Sequence, residues 1–548
     1  MKSEYQRNRR EESLAHQLDR THDEAHTPRV TLANLRHRAS GIVLHPTSLP
    51  GPHESGDLGD DALRFASFLA ASGQRFWQML PVGPAGYGNS PYSAQSAFAG
   101  SPLLISLDAL TRDGLLEAQP THPSAGPRTR LDYARAWSFR MPRLRAAFAS
   151  FERRAARERE ALDAFAAAHA SWLDDYALYR ALKHMHGEVS WTDWPDEYRK
   201  RSSPALAHAR KELASEIRFE KFLQLVFDEQ WCAFRLACEE RSVALIGDLP
   251  IFVAHDSADV WSAPELFQLD PEGRPTFVAG VPPDYFSATG QRWGNPLYRW
   301  SVLRQSGYAW WIARMRATLA RFDLVRLDHF IGFVRYWAIP ARSPVATEGR
   351  WIKGPGAHFL TALHEALGGL PLIAEDLGAV TPRVIALRDR FRLPGIRVLQ
   401  FAFGDDPSAP TFLPHNYPRR AVVYTGTHDN DTVAGWYRND AAGSDDTRTP
   451  IQVERERVAT LRYLGTSGED IHWDMIRAAM ASVARLAMFP LQDVLGLGSE
   501  ARMNRPGRAA DNWEWRFEEG ALTRELATKL GDLTTTYGRH ARSAETRR

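Results

Sequence analysis

Three acidic residues of this chain stand where short apolar runs end. Asp328 closes LVRLD, Glu375 closes LIAE, and Asp429 follows YTGTH. If these runs are parallel strands of one closed barrel, their carboxyl ends share one mouth, where the acids can converge. Cleaving an acetal requires a proton donor for the leaving oxygen and an anion facing the developing oxocarbenium ion. Retaining mechanisms place two such carboxyl groups about 5–5.5 Å apart. The three acids therefore predict acetal chemistry, with the third acid free to bind hydroxyls and raise the donor's pKa.

An arginine accompanies the first of these acids. Arg326 lies two residues before Asp328, so both side chains point to the same face of a strand. A guanidinium there would keep Asp328 ionised and aimed, as a nucleophile requires. Each residue also has a structural interpretation, because strand-end aspartates often cap helices and Arg–Asp pairs can be purely structural. That interpretation weakens for the set, since three strand ends carry acids.

Other candidate motifs lack features that their chemistry requires. The run Asp429–Asp431 offers oxygens for calcium but lacks the remaining ligands and the glycine of an EF-hand loop. Gly83–Gly88 (GPAGYG) has no G-K-[ST] ending and no convincing helix after it, so it is not a phosphate loop. His184 and His186 would not share a helix face. We expect neither a metal nor an organic cofactor.

Eight apolar runs, separated by helical stretches, would have to position these residues. Runs buried on both faces look continuously apolar, although any one of them could instead be a buried helix segment. Eight in order with intervening helices predict an α/β fold, the (β/α)₈ TIM barrel. The predicted strands are Gly41–His45, Phe76–Pro81, Val243–Asp248, Leu324–Asp328, Leu372–Glu375, Ile396–Phe401, Ala421–Tyr424 and Leu486–Leu491.

Large helical and loop insertions are expected between the strands. About 160 residues separate the second and third runs, far more than one helical crossover needs. Phe252–Trp300 and Gly496–Trp515 read as loops, which in a barrel belong at the mouth. The first insert reads as helix, with core positions at near-helical spacing at Ile217, Leu223, Phe227, Trp231 and Phe234.

The predicted organisation is one barrel with no separate C-terminal β domain. Residues 1–40 are expected to be a disordered polar leader, and its Arg-rich stretch Arg7–Arg10 reads as solvated rather than as a site for polyanions. The barrel is predicted over 41–520, with insertions at about 101–240 and 250–300, and 521–548 as a C-terminal helix or tail.

Composition excludes several classes of protein. Of 548 residues, 44% are hydrophobic and 24% charged, and the formal net charge is +2. No apolar run has membrane-spanning length, and a charge near zero does not favour nucleic acid. Cys232 and Cys238 match neither a redox nor a zinc motif, so we expect reduced thiols. With no hydrophobic signal segment, a cytoplasmic protein is predicted, with no membrane and no nucleic-acid partner.

Seven longer strings occur in one order along the chain: GYGNSPYSAQSAFAG, GDLPIFVAHDSADVW, PPDYFSATGQRWGNPLY, VRLDHF, AEDLG, THDNDT and GSEARMNRPG. Through them, from about Gly41 to Trp515, the sequence resembles the amylomaltase (disproportionating enzyme) family of 4-α-glucanotransferases, in the α-amylase clan of retaining barrels. The leader and the C-terminal tail remain unmatched. The resemblance implies a barrel enzyme that transfers α-1,4-glucan segments.

The resemblance also implies roles. Asp328 matches the nucleophile that forms a covalent glycosyl-enzyme, Glu375 the general acid/base, and Asp429 the transition-state stabiliser. Supports of the nucleophile, sugar contacts, acceptor contacts and cleft walls are implied for a larger set. These substrate-binding residues are Arg326, His428, Asp248, Tyr92, Ser90, Tyr285, Phe286, Gln291, Trp293, Asn295, Asn504 and Pro506, the last two within the wall loop Gly498–Gly507.

The implied partners are maltooligosaccharides, maltodextrin, amylose or glycogen-derived glucans, with glucose as an acceptor, for a monomer or homodimer. One alternative is an α-1,4-glucan hydrolase of the same clan, because the three acids would serve water equally well. The aromatic residues Tyr285, Phe286 and Trp293 favour transfer, since they can bind a sugar and exclude water. Another alternative is a non-catalytic glucan-binding protein, since fold does not fix function.

Overall fold

The strands of this protein are short, at three to six residues each. The structure, a computed structural model, describes residues 37–117, 129–283, 289–439, 448–508 and 510–540. Within them the strands are β1 (Ala39–Val43), β2 (Phe76–Gln78), β3 (Ala244–Leu249), β4 (Phe277–Val281), β5 (Gln291–Pro296), β6 (Leu324–Leu327), β7 (Arg335–Pro340), β8 (Arg350–Lys353), β9 (Leu372–Ala374), β10 (Gly395–Val398), β11 (Ala421–Tyr424) and β12 (Leu486–Pro490).

Eight of these strands close into a parallel barrel. Their order around it is β1, β12, β11, β10, β9, β6, β3 and β2, and β1 pairs with β12 in parallel to complete the ring. Each of the eight predicted runs overlaps one barrel strand, so the predicted (β/α)₈ fold is confirmed. The runs were recognisable because both faces are covered: every residue of β6, β9, β11 and β12 is buried.

Helices surround the barrel and fill the long insert between β2 and β3. In that insert the 27-residue α8 packs Leu223, Phe227, Trp231 and Phe234 into the core. The helices are α1 (Asp60–Ala71), α2 (Leu107–Arg112), α3 (Tyr133–Glu152), α4 (Ala156–Ala168), α5 (Ala170–Met185), α6 (Asp196–Arg199), α7 (Ser203–Glu212), α8 (Ala214–Glu240), α9 (Ala258–Ser262), α10 (Trp300–Gln305), α11 (Ala309–Arg321), α12 (Ala357–Leu367), α13 (Pro382–Arg390), α14 (Val433–Arg438), α15 (Pro450–Leu464), α16 (Ile471–Ala481), α17 (Leu491–Leu495) and α18 (Arg524–Thr536). None of these described helices is long and apolar enough to cross a bilayer.

A second sheet lies on the loops of the barrel mouth. It is antiparallel, in the order β5, β4, β7, β8. The loop prediction for Phe252–Trp300 is therefore wrong for the residues of β4 and β5, and also for those of the short helix α9. The central pair of this sheet joins β4 to β7. The barrel strand β6 lies between them in the sequence, so no short turn connects the two strands and the sequence shows no hairpin motif for this pair. In β5, Gly294 and Pro296 also weaken the strand pattern.

Arg539 closes the end of the barrel opposite the mouth. Its buried guanidinium donates to the carbonyls of Ala39, which begins β1, and of Ala484 and Arg485, which precede β12. It also donates to the carbonyl of Met480 near the end of α16. Burial lowers the pKa of Arg539 to about 9. The side chain therefore ties the first and last strands together through backbone carbonyls.

Candidate active site

Arg326 joins two carboxylates at the barrel mouth. It lies on β6 opposite Asp248 on the neighbouring β3. Its Nη1 is 2.8 Å from both carboxylate oxygens of Asp248 and 2.8 Å from Oδ1 of Asp328. Arg326 and Asp248 are buried, whereas the side chain of Asp328 is 27% exposed at the mouth. Asp248 and Asp328 together raise the pKa of Arg326 against the effect of burial, so the guanidinium stays charged.

Tyr92 links this ion pair to the histidine beside the third acid. Its hydroxyl donates to Asp248 Oδ2 at 2.8 Å. Its ring stacks on that of His428, with centroids 5.1 Å apart and an interplanar angle of 16°. Burial and the Asp248 charge raise the pKa of Tyr92 well above its ordinary value, so the phenol remains a donor. The tyrosine thus occupies the floor of the mouth between β3 and the loop that follows β11.

Glu375 follows β9 and is almost fully buried. Its Oε2 accepts the backbone N–H of His329 at 2.8 Å, and its Oε1 accepts that of Leu377 at 3.1 Å. His329 can aim its N–H there because its backbone is left-handed (φ 53°, ψ 49°) immediately after Asp328. Burial, with the charge of Asp328, raises the pKa of Glu375 to about 8, and Arg326 opposes the shift. Glu375 therefore holds a proton at neutral pH.

Asp429 is the most open of the three acids, with a side chain 42% exposed. Its Oδ1 accepts the carboxamide N–H of Asn504 at 2.6 Å, and its Oδ2 lies 3.4 Å from His428 Nε2. Arg502 donates to the backbone carbonyl of Asp429 at 2.7 Å. The segment after β12 thus reaches over the mouth and holds this acid in place.

The predicted acceptor residues lie on the second sheet. Trp293 on β5 is 37% exposed, and its ring meets that of His329 edge to face at 4.9 Å. Its Nε1 donates to Gln291 Oε1 at 3.0 Å. The Asn295 carboxamide instead donates to the Val253 carbonyl at 2.9 Å, bracing a loop. Tyr285 and Phe286 lie outside the described residues.

The two other predicted contacts sit in mouth loops. The Ser90 hydroxyl accepts the backbone N–H of Tyr92 at 3.3 Å, and so caps the turn that carries the tyrosine. Pro506 is half-buried in the Gly498–Gly507 loop. Ser90 therefore has a local structural partner.

Two aromatic residues at the mouth were missed by the sequence reasoning. His329 connects the Asp328 strand end to both Glu375 and Trp293, and burial lowers the pKa of its ring to about 4. Its place directly after Asp328 in VRLDHF was a usable signal. Trp513 packs against Tyr92 and His428, with centroid distances of 5.8 and 5.9 Å. Trp513 is distant in sequence from both residues, and no motif around it predicts the contact.

The arrangement supplies the parts for acetal cleavage. Three acids follow the C-terminal ends of barrel strands, on one side of the barrel. They are a protonated carboxyl (Glu375), a carboxylate that accepts from a guanidinium (Asp328) and a third acid (Asp429). Within the described parts of the chain, no group of three or more His, Cys, Asp or Glu side chains is placed to hold a metal ion. The chemistry that these residues favour is general acid catalysis combined with attack by a carboxylate.

Comparison with known proteins points to a single family. The glycoside hydrolase family 77 model, described as 4-alpha-glucanotransferase, matches residues 44–523. The 4-alpha-glucanotransferase of Thermus thermophilus is 52% identical over 502 residues, which cover 90% of this chain and 97% of that protein. That of Synechocystis sp. is 48% identical over 516 residues, covering 92% and 99%. The amylomaltase from Streptococcus agalactiae, solved in complex with acarbose, superposes with a TM-score of 0.87 at 34% identity, over 92% of this chain and 100% of that chain.

Proposed function

Because the chain belongs to the 4-alpha-glucanotransferase family of glycoside hydrolase family 77, it transfers α-1,4-glucan segments, and we propose that it does so by double displacement through a glycosyl-enzyme on Asp328. One observation carries this mechanism. Two neighbouring strand-end acids lie in opposite surroundings: Asp328 accepts a hydrogen bond from the Arg326 guanidinium at 2.8 Å, whereas Glu375 is buried with a pKa raised to about 8. That division is what a nucleophile and a proton donor require.

In the first half-reaction, Glu375 gives its proton to the glycosidic oxygen while Asp328 attacks the anomeric carbon. The bond to the leaving sugar breaks, and its oxygen departs as a hydroxyl. Asp429 faces the positive charge that develops on the ring, with His428 beside it for sugar hydroxyls. Tyr92, whose ring lies flat against His428, offers an apolar face beneath the sugar.

In the second half-reaction, Glu375 acts as the base. It removes the proton from the 4-hydroxyl of an incoming sugar, whose oxygen displaces Asp328 and restores an α-1,4 bond. Trp293 projects into the mouth beside His329 and would stack on that acceptor, which disfavours water at the same place. Donors would be maltooligosaccharides, maltodextrin, amylose or glycogen-derived glucans, with glucose as an acceptor. The acarbose complex of the streptococcal relative supports an oligosaccharide-shaped cleft.

We place the reaction in the cytoplasm, in keeping with the free thiols of Cys232 and Cys238. The protein would work there as a monomer or homodimer.

Incubation with maltotriose tests the reaction. Transfer yields glucose together with a series of longer and shorter maltooligosaccharides, whereas shorter products alone would show a hydrolase. Asp328→Asn should abolish turnover and leave glucan binding largely intact. The matched control is Asp323→Asn at the opposite end of the same strand, where the carboxylate accepts the N–H of Leu245 at 2.8 Å. Full activity in the Asp328 variant would refute the nucleophile assignment.

A further inference from the structure

Asp493 spans the two ends of the loop that carries Asp429. This loop, Thr425–Thr432, runs from the end of β11 to the start of α14. Asp493 lies on α17, after the neighbouring strand β12. Its Oδ2 accepts the hydroxyl of Thr425 at 2.6 Å, and its Oδ1 accepts the backbone N–H of Val433, the first residue of α14, at 2.7 Å. One carboxylate therefore holds both ends of the loop.

On one side this loop borders a pocket rather than packed side chains. Thr427, His428 and Asp431 line that pocket together with His45 and Arg502. Dispersion contacts hold a segment only where atoms fill the neighbouring space. On the side of the pocket, hydrogen bonds rather than packing therefore fix the position of the loop.

Further bonds to the loop come from the same stretch of chain as Asp493. The Ser499 hydroxyl donates to Asp431 Oδ2 at 2.6 Å, and the Asn504 carboxamide donates to Asp429 Oδ1. These contacts hold the middle of the loop, whereas Asp493 holds its ends. Asp493 is 1% exposed, and its carboxylate accepts from Thr425 and Val433 rather than contacting Asp429. Its effect on chemistry would pass through the backbone between Thr425 and Val433.

We propose that Asp493 is a positioning residue for the transfer reaction, fixing the Thr425–Thr432 loop so that Asp429 faces the reacting sugar. This inference rests on the proposed function of Asp429. The carboxylate acts by accepting two hydrogen bonds, and its charge is not required. An asparagine at this position can form both hydrogen bonds. Its side-chain oxygen can accept from the Val433 N–H, and its side-chain N–H can donate to the Thr425 hydroxyl, which then acts as acceptor instead of donor.

The test compares four variants with the parent on maltotriose. In Asp493→Ala we expect kcat to fall about 30-fold or more with KM changed less than about threefold, because a displaced stabiliser weakens transition-state binding and leaves ground-state binding. Asp493→Asn should recover kcat to within about threefold of the parent. Thr425→Val removes only one bond at constant shape and should show an intermediate loss. If the alanine variant does not fold, the kcat of Thr425→Val still tests the proposal.

The control is Asp323→Ala, which removes a carboxylate that holds a strand end at the opposite face of the barrel. It should lower the melting temperature and leave kcat unchanged. If Asp493→Ala and Thr425→Val retain kcat within twofold of the parent, the positioning role is overturned. If Asp493→Asn is as impaired as the alanine variant, the hydrogen-bond account is overturned. Failure of the proposed function would look different, since the parent enzyme itself would then give no transfer products.

Discussion

The carboxamide of Asn504 lies 2.6 Å from Oδ1 of Asp429, and the backbone N–H of Asn504 donates to the His428 carbonyl at 3.1 Å. The wall loop is thus bonded to the acid that we assign as stabiliser. We expect Asn504→Ala to lower kcat on maltotriose about tenfold, since a hydrogen bond to a charged group contributes about 1.5–3 kcal/mol. Asn504→Asp should be worse, because two carboxylates would then face each other.

The matched control is Ala510→Ser, an exposed position in the same segment. It should leave kcat unchanged. An Asn504→Asp variant with parental kcat would show that the bond does not orient Asp429.

Arg326 is the shared counter-charge of Asp248 and Asp328. Its replacement by methionine leaves two neighbouring carboxylates without a cation, so we expect about 3–5 kcal/mol lower unfolding free energy and at least about 100-fold lower kcat. Urea unfolding and maltotriose kinetics measure the two effects. The control is Arg140→Met, another fully buried arginine, paired with Asp57. It should lose stability alone, and an Arg326 variant that behaved likewise would contradict the catalytic part of the argument.

The pH dependence of the reaction should report Glu375. The donor must be protonated for the first half-reaction, and its pKa is raised to about 8. The protonated fraction therefore stays high through neutral pH and falls above about 8. We expect log kcat/KM to decline with unit slope on the alkaline side of that value. A profile that stays flat to pH 10 would exclude Glu375 as the acid.

The same carboxyl should cost stability at alkaline pH. An unfolded glutamate releases its proton near pH 4.3, whereas folded Glu375 keeps it until about 8. Between these values the folded state binds more protons, so its stability declines as pH rises. Glu375→Gln carries no such proton. The melting temperature of the variant minus that of the parent should therefore be larger at pH 9 than at pH 5. We expect the increase in this difference to be about 1–3 °C. Calorimetry at the two pH values decides it, and an equal difference at both would contradict the assigned pKa.

Trp293 should govern the choice between sugar and water. Loss of its ring removes stacking of about 1 kcal/mol or more, so Trp293→Ala should raise the ratio of hydrolysis to transfer about fivefold or more. The increase in total reducing ends measures hydrolysis, because transfer conserves their number, and the formation of chains longer than maltotriose measures transfer. Trp351→Ala is the control, because Trp351 lies in the same sheet on β8 and packs on Trp337. If both variants shift the ratio equally, the effect comes from the sheet rather than from the acceptor contact.

The barrel was predictable because its strands are buried on both faces. Strands buried on both faces appear in the sequence as continuous apolar runs such as AVVY, and each predicted run overlaps one strand. The acids could be placed at one mouth because parallel strands end on the same side. Arg326 could be placed near Asp328 because the side-chain period of a strand is two.

What could not be predicted depends on contacts between distant segments. The second sheet pairs Val278 with Ile339, and a side-chain pattern local to either gives no hint of the other. Asn504 and Asp493 bond to the Asp429 loop across 75 and 60 residues or more. The raised pKa of Glu375 also needs the folded chain, because burial is its largest cause.

The bonds of Arg539 have a consequence for synthesis of the chain. β1 leaves the ribosome before the other barrel strands, whereas its partner β12 follows after all of them, and the arginine that binds the Ala39 carbonyl follows 500 residues after Ala39. The ring therefore cannot close until β12 has been translated. Until then the free edge of β1 is a template for non-native pairing. We expect nascent chains stalled before β12 to depend on chaperones, however stable the finished enzyme is.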